Sequence, residues 1–195
     1  MALSKLSGDE QGIILGQLLN ALEPCLAVYF SSASSELRVL LTPALRQQLK
    51  ADHEAAAALC HKIRMGCMMG CCKGLREAKE VDCIENGLSA ADLAMLGRLG
   101  TVLPALDSLS IWQFSGAAGP DGVQRLAEGL VAGALPAMTY LAFNGMHVGN
   151  EGASAFAAAL GRGALPRLKT LLLTCSGIGD AGLVALAPAL RRLPA

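Results

Sequence analysis

A tandem repeat of about 30 residues fills the second half of this 195-residue sequence and constrains its fold more than any other feature. The copies begin 28, 32 and 30 residues apart, at Leu75, Leu103, Leu135 and Leu165. The last two copies agree most closely, since GALPAM at 133–138 and GALPRL at 163–168 open segments with matching leucines and glycines. A repeat of this length predicts one supersecondary unit per copy, stacked on its neighbours.

Each copy contains the same two elements. An L-x-L alternation, seen at 171–173, points its outer leucines to one side and predicts a short strand. A glycine-rich turn follows, as at 179–182, where Asp180 or, one copy earlier, Asn150 is placed to cap the helix. An apolar stripe at helical spacing completes the copy, at Leu183, Leu186 and Leu190. Pro188 in that stripe predicts a kinked or shortened last helix.

The pattern resembles the ribonuclease-inhibitor type of leucine-rich repeat, L-x-x-L-x-L-x-x-N-x-L-x-x-x-G-x-x-x-L, over residues 75–195. The resemblance implies an α/β solenoid of about four repeats at 73–195, of which the first is degenerate. The asparagine position departs from the family pattern and reads Asn86, Phe114, Met146 and Ser176. We therefore expect irregular turns, with Phe114 packed in the core of its turn.

Residues 1–72 predict an all-helical region. Ser7-Gly8-Asp9-Glu10 forms a capping-box pattern for a first helix, and Pro24 separates that helix from a short second one. Thr42-Pro43 has the form of an N-cap followed by Pro at N1, which predicts a long helix to about Met65.

The order of these short helices resembles a divergent F-box. The resemblance rests on Leu6, Ile14-Leu15, Leu22, Pro24, Leu26, Val28 and the block Leu37-Arg38…Leu40-Leu41. In that family the motif docks on the Skp1-type adaptor of a cullin-type ubiquitin ligase, and the repeats recruit the substrate. The resemblance implies adaptor contacts through Leu22, Pro24 and Leu26. A helical region that caps the first repeat gives the same pattern, so both interpretations stay open.

Side chains that alternate with the buried leucines are predicted to form three rows on the concave face of the repeats. The predicted partner-binding residues there are Glu80, Asp82, Ser108, Ser110, Trp112, Tyr140, Asn144, Thr170, Leu172 and Thr174. Trp112 and Tyr140 are amphipathic aromatics, which often anchor protein interfaces. The alternative is that Trp112 is half-covered by its neighbours and binds nothing.

The densest group of reactive side chains is CHKIRMGCMMGCC, at residues 60–72. Only Cys67 and Cys71 approach the spacing of a zinc ligand pair, and no second pair is visible. We expect small apolar thiols packed between helices. Metal binding or redox sensing through Cys60–Cys72 is a weaker alternative, so no metal site and no cofactor is assigned.

Charge and motifs favour a non-catalytic protein-interaction module. Sixteen basic residues balance sixteen acidic ones, which offers no electrostatic case for nucleic acid or a membrane surface. The histidines His53, His61 and His147 accompany no catalytic or nucleotide-binding motif, and His147 is expected to be exposed. The seven cysteines, without a signal peptide or a long apolar run, predict a cytoplasmic or nuclear protein.

The sequence ends on Leu193-Pro194-Ala195, 28 residues after Leu165, which predicts an incomplete further repeat. No polar capping repeat follows, so the last full copy is expected to leave an uncovered apolar end. The residues expected at that end are Leu171, Leu173, Leu183 and Leu186. This pattern predicts either a truncated form of a longer repeat protein or an end covered by a partner or a second copy.

Overall fold

The computed structural model describes residues 20–33, 41–63, 72–114 and 118–193. The chain divides into two compact units, 1–57 and 58–195. The described residues form seven α-helices and one four-stranded parallel sheet, which confirms the predicted α/β class. Among them, no helix combines the length and apolar character needed to cross a membrane.

The first unit contains α1 (Cys25–Ala33) and most of α2 (Pro43–Lys62). The predicted cap is present, because Thr42 Oγ1 accepts a hydrogen bond from the Leu45 N–H at 3.3 Å. A small buried cluster lies in this unit, formed by Ala27, Leu41 and Leu49. The capping box at 7–10 and the block at 37–40 lie outside the described residues, so the predictions made for them stay predictions.

The second unit carries the sheet. Its strands are β1 (Glu80–Ile84), β2 (Ser108–Trp112), β3 (Tyr140–Asn144) and β4 (Thr170–Thr174). Its helices are α3 (Cys72–Glu77), α4 (Ala90–Arg98), α5 (Gly119–Gly129), α6 (Gly149–Gly161) and α7 (Asp180–Leu190), and a 3₁₀ turn over Leu99–Thr101 extends α4. Each strand is followed by one helix, with the period of the sequence repeat.

The strands pair in chain order, and the register aligns equivalent residues of successive copies. One aligned row contains Val81, Leu109, Leu141 and Leu171, and the next contains Cys83, Ile111, Phe143 and Leu173. The members from β1 to β3 are buried, whereas those of β4 are half-buried. The alternation read from the sequence therefore separates the two faces of the sheet as expected.

Neighbouring helices α4 and α5 approach closely at two glycines. A Cβ on Gly97 would lie 2.4 Å from the Leu126 carbonyl oxygen, and one on Gly129 would lie 2.9 Å from the Arg98 nitrogen. Because both obstacles are backbone atoms, these positions exclude any side chain without a shift of one helix.

The helix caps that the sequence predicts at Asn150 and Asp180 are corrected by a contact between two copies. Asn150 Oδ1 accepts hydrogen bonds from the N–H groups of Gly179 and Gly182 at 2.9 and 3.1 Å. Asn150 in α6 thus caps α7 in the following copy rather than its own helix, and Asp180 makes no cap contact because the N-cap of α7 is Gly179. Pro188 lies inside α7, which continues past it to Leu190.

The end of α2 is tied to the first copy. Asn86 Nδ2 donates to the Lys62 carbonyl at 2.7 Å, and Lys62 Nζ donates to Asp92 Oδ2 at 2.5 Å. Asp92 also forms a capping box with Ser89 at the start of α4. Burial raises the pKa of Asp92, but the hydrogen bonds from Lys62 and Ser89 outweigh burial and hold that pKa below its ordinary value. Residues 58–62 therefore belong structurally with the sheet-bearing unit.

Candidate functional site

The open face of the sheet, which carries the side chains alternating with the buried ones, contains the predicted partner-binding residues. The register forms three rows: Glu80, Ser108, Tyr140 and Thr170; Asp82, Ser110, Ala142 and Leu172; and Ile84, Trp112, Asn144 and Thr174. These are the rows that the sequence predicts. Adjacent members of a row lie about 4.8 Å apart, as neighbouring strands of a sheet do, so the face forms one continuous surface.

Exposure divides the ten predicted residues into three groups. The exposed residues are Glu80, Asp82, Trp112, Thr170, Leu172 and Thr174. Ser108 and Tyr140 are half-buried. Ser110 and Asn144 are buried, at 8% and 4% exposed, and their contact with a partner stays a prediction. Both lie on the central strands, β2 and β3, each of which has a neighbouring strand on either side.

An apolar patch lies at the carboxyl ends of β1 and β2 and consists of Ile84, Trp112 and Phe114. These side chains are 63%, 41% and 67% exposed. Ile84 and Trp112 are direct neighbours in the sheet register. The Phe114 ring lies on Gly145, where an added Cβ would come within 2.4 Å of Phe114 Cδ1. The patch is therefore held by the sheet and by the turn beyond β3.

Phe114 does not occupy the core of its turn, contrary to expectation. Gln113 lies there instead, 1% exposed, and its Nε2 donates to the Leu88 carbonyl at 2.9 Å. In the other three copies a residue with positive φ follows the strand and turns the chain, at Glu85, Gly145 and Cys175. The second copy has no such residue at 113 and bends one residue later, at Phe114, so that Gln113 is buried and Phe114 is exposed. The two extra residues in this copy are the sequence signal for the difference.

The charge on the open face is entirely negative. Among the twelve side chains of the three rows, Glu80 and Asp82 alone are charged, and both are exposed on β1. Glu80, Asp82 and Ile84 project from the same side of one strand at intervals of about 7 Å. Two carboxylates therefore lie in line with the apolar patch.

The three residues implied by the F-box resemblance lie in the first unit. Leu22 is buried at 4% exposed, whereas Pro24 and Leu26 are half-buried. Leu22 is held in a turn by the hydrogen bond from its N–H to Asn20 Oδ1 at 2.9 Å. The expected adaptor contact of Leu22 stays a prediction, and Pro24 and Leu26 are the more accessible of the three residues.

A cavity of about 340 Å³ lies in the first unit. Its apolar wall includes Ala27, Val28, Leu41 and Leu49, and its charged lining residues are Arg46 and Lys50. His53 also lines it, with Nδ1 2.7 Å from the Ala21 carbonyl oxygen. Lys50 lies 3.9 Å from Glu54 on the exposed side of α2, so its charge is already partly compensated.

In the cysteine-rich segment, the two thiols that lie close together are not the pair that the sequence spacing singles out. The Sγ atoms of Cys60 and Cys72 lie 3.9 Å apart, whereas Cys67 and Cys71 lie outside the described residues. No group of three or more His, Cys, Asp or Glu side chains placed to hold a metal occurs in the described parts of the chain. The pair Cys60–Cys72 thus offers two thiols at contact distance.

Comparison with known proteins gives no relative from which to transfer a role: no family model and no curated protein matches this chain. The function is therefore inferred from the geometry of its own residues.

Proposed function

We propose that this chain is a leucine-rich-repeat solenoid that acts as a non-catalytic protein-interaction module and binds a protein partner on the open face of its sheet. The observation that carries the proposal is the adjacency of Ile84 and Trp112, two large apolar side chains that are neighbours in register and exposed. The stacking of four strand-and-helix copies in sequence register supports the solenoid assignment.

The apolar patch has the properties of an interface centre. Ile84, Trp112 and Phe114 expose large side chains at positions where packing of the sheet does not require them. Tryptophan is enriched among the residues whose truncation costs most binding energy. The sheet register fixes Ile84 and Trp112, and Gly145 supports Phe114, so little conformational entropy is lost when a partner binds.

The two carboxylates on β1 indicate which chemical groups the partner presents. Glu80 and Asp82 favour a cationic group, and the patch beginning at Ile84 favours an apolar one. We therefore propose that the partner presents Lys or Arg beside an aromatic or aliphatic side chain, separated by about 7–14 Å along an exposed segment.

A buried side-chain amide next to the apolar patch is consistent with binding of a protein partner. Asn144 neighbours Trp112 in the third row, and its Nδ2 is buried without a hydrogen-bond partner. An unpartnered buried amide costs free energy. A backbone carbonyl of the bound partner satisfies this donor if the Trp112 ring shifts on binding.

A non-catalytic role is part of the proposal. The three rows contain no histidine and no cysteine. His61 and His147 are exposed and lie outside the rows, and His53 contacts the Ala21 carbonyl. A reducing compartment, the cytoplasm or the nucleus, is also proposed, and the free thiols of Cys25, Cys72, Cys83 and Cys175 support it.

Peptide display tests the partner chemistry. Random peptides displayed on phage are selected against the chain, and we expect enrichment of basic residues beside aromatic or aliphatic ones. Trp112→Ala should abolish binding of the enriched peptides, whereas Val131→Ala should not, because Val131 is 51% exposed and lies outside the sheet. Equal binding to both variants, or no enrichment, would contradict the proposal.

The F-box-like alternative, a substrate receptor of a cullin-type ubiquitin ligase, has weaker support because Leu22 is buried. It predicts that a purified Skp1-type adaptor binds the chain through Pro24 and Leu26. Leu26→Asp should then abolish adaptor binding, and Val131→Asp should leave it intact. Absence of adaptor binding to the unmodified chain would rule out this alternative.

A further inference from the structure

The cavity in the first unit takes no part in the proposed open-face interface. Its described lining residues lie between Pro24 and His53, all within the unit 1–57. One wall comes from Pro24 and α1, and the other comes from Leu41 and α2. The volume of about 340 Å³ falls within the range of small-molecule sites, about 300–1,000 Å³. The cavity is therefore large enough to hold a small molecule.

The interior of the cavity is apolar, and its rim is exposed. Ala27, Leu41 and Leu49 line the cavity and are buried against one another. Val28 and Arg46 also line it and are exposed, so the cavity opens to solvent beside them. Buried aliphatic side chains with an opening to solvent favour a ligand that is apolar over most of its length.

Hydrogen bonds fix the position of the cavity wall. The His53 Nδ1–H donates to the Ala21 carbonyl at 2.7 Å, which joins α2 to the turn before α1. Within that turn, the Glu23 N–H donates to the Asn20 carbonyl at 3.0 Å, and the Leu22 N–H donates to Asn20 Oδ1 at 2.9 Å. A wall that is already ordered loses little conformational entropy when a ligand binds.

Both charged residues that line the cavity, among the residues the structure describes, are cations. Arg46, Lys50 and His53 follow one another at intervals of four and three residues, so their side chains lie on one side of α2. The Arg46 guanidinium has no ion-pair partner among the described residues. Lys50 lies 3.9 Å from Glu54 in a pair that is mostly exposed. Such a pair contributes little, so Lys50 is able to turn toward a ligand.

We propose that this cavity binds a medium-chain carboxylate, with the hydrocarbon chain inside and the carboxylate at Arg46 and Lys50. The guanidinium presents a planar fork of N–H donors that matches the two oxygens of a carboxylate. At about 30 Å³ for a group of the size of water, 340 Å³ holds a chain of about ten carbon atoms. Decanoate is therefore the probe.

The two cations distinguish this ligand from other occupants of an apolar cavity. An apolar protein segment fits the interior but brings no anion to Arg46 and Lys50, and a cationic amphiphile is repelled by both. The proposal is independent of the role of the open face, because every described lining residue lies in the first unit.

Titration calorimetry of the 195-residue chain with decanoate, below the concentration at which decanoate forms micelles, tests the proposal. We expect saturable binding of one molecule per chain. Octanoate and hexanoate should bind more weakly, by about fourfold for each methylene removed, because less apolar surface is buried. Decyltrimethylammonium has the same chain and a cationic head, and it should bind about tenfold more weakly than decanoate.

Substitutions on exposed helix positions locate the carboxylate without threatening the fold. Arg46→Gln and Lys50→Gln should each weaken decanoate binding by about two- to fivefold, because each removes one attraction. Lys73→Gln is the matched control and should leave the affinity unchanged. Lys73 pairs with Glu77 at the same spacing and the same 3.9 Å as the pair of Lys50, but it lies in the second unit.

Thiol protection locates the ligand independently of any substitution. Cys25 lines the cavity and is exposed, so bound decanoate should slow its alkylation by N-ethylmaleimide severalfold. Cys175 is an exposed thiol of the second unit and should react at the same rate with and without decanoate. Peptide mapping by mass spectrometry compares the two rates.

A chain that binds no decanoate saturably would overturn the proposal and leave an apolar protein segment as the occupant of the cavity. Equal affinity for decanoate and decyltrimethylammonium would also overturn it, as would equal weakening by Lys50→Gln and Lys73→Gln. Unchanged alkylation of Cys25 would show that decanoate binds elsewhere on the chain, which contradicts the assignment to this cavity.

Discussion

Lys62 at the end of α2 donates a hydrogen bond of 2.5 Å to Asp92 at the start of α4. This pair joins residues 30 positions apart within the sheet-bearing unit. Asp92 is 9% exposed and also accepts from the Ser89 N–H at 2.7 Å. One carboxylate therefore both caps α4 and binds Lys62, the last residue of α2.

The Asp92 carboxylate makes stability depend on pH. The pKa of Asp92 is lower in the folded chain than the ordinary value. The contribution of Asp92 to the free energy of unfolding is therefore fully present above the unfolded pKa of about 3.9, and it is lost as the pH falls through the folded pKa. Asp92→Asn should lower the free energy of unfolding by about 1–2 kcal/mol at pH 7 and by less in acid. Urea denaturation at both pH values measures this; an equal loss at both would contradict it.

Gln113 should matter more for stability than Phe114, although alignment of the copies assigns the turn core to Phe114. Gln113→Leu leaves the buried Leu88 carbonyl without its partner and should cost about 1–3 kcal/mol. Phe114→Leu changes a side chain that is 67% exposed and should cost less. Chemical denaturation of the two variants compares them, and the reverse order would show that the turn is misassigned.

Asn150 should stabilise the last copy specifically. Asn150→Ala removes the acceptor for the Gly179 and Gly182 N–H groups and should destabilise α7 by about 1 kcal/mol. Hydrogen exchange should accelerate at 180–186 and stay unchanged in β1 and β2. Glu151→Ala, an exposed neighbour on the same helix, is the control; faster exchange in both variants would exclude a specific cap.

The cysteines should differ sharply in reactivity. Oxidation with hydrogen peroxide should join Cys60 and Cys72, whose Sγ atoms lie 3.9 Å apart, by converting two thiols and one peroxide into a disulfide and two waters. Cys83 should resist alkylation at pH 8, because burial, together with the nearby Asp82 charge, raises its pKa to about 12. Peptide mapping by mass spectrometry measures both, and a mapped Cys71–Cys72 link in place of Cys60–Cys72 would contradict the first expectation.

The residue pattern alone predicts the α/β class, the strand positions and the three rows of the open face. It does so because side chains in a strand alternate strictly, so the spacing of Leu141 and Phe143 or of Leu171 and Leu173 determines which neighbours share a face. The cap at Thr42 is predictable for a similar reason, since the residues that form it are three positions apart.

Contacts between copies decide the remaining features, and no single copy encodes them. Burial of Ser110 and Asn144 depends on the strands on either side, and Asn150 finds its partners in the next copy because its own helix begins before it. Gln113 replaces Phe114 in the turn of the second copy, where φ at 113 is not positive and the Gln113 amide binds the Leu88 carbonyl of the preceding copy. Spacing along the chain determines the face of the sheet on which a side chain lies. The exposure and the hydrogen bonds of that side chain depend on residues about 30 positions away, because only the tertiary structure brings neighbouring copies into contact.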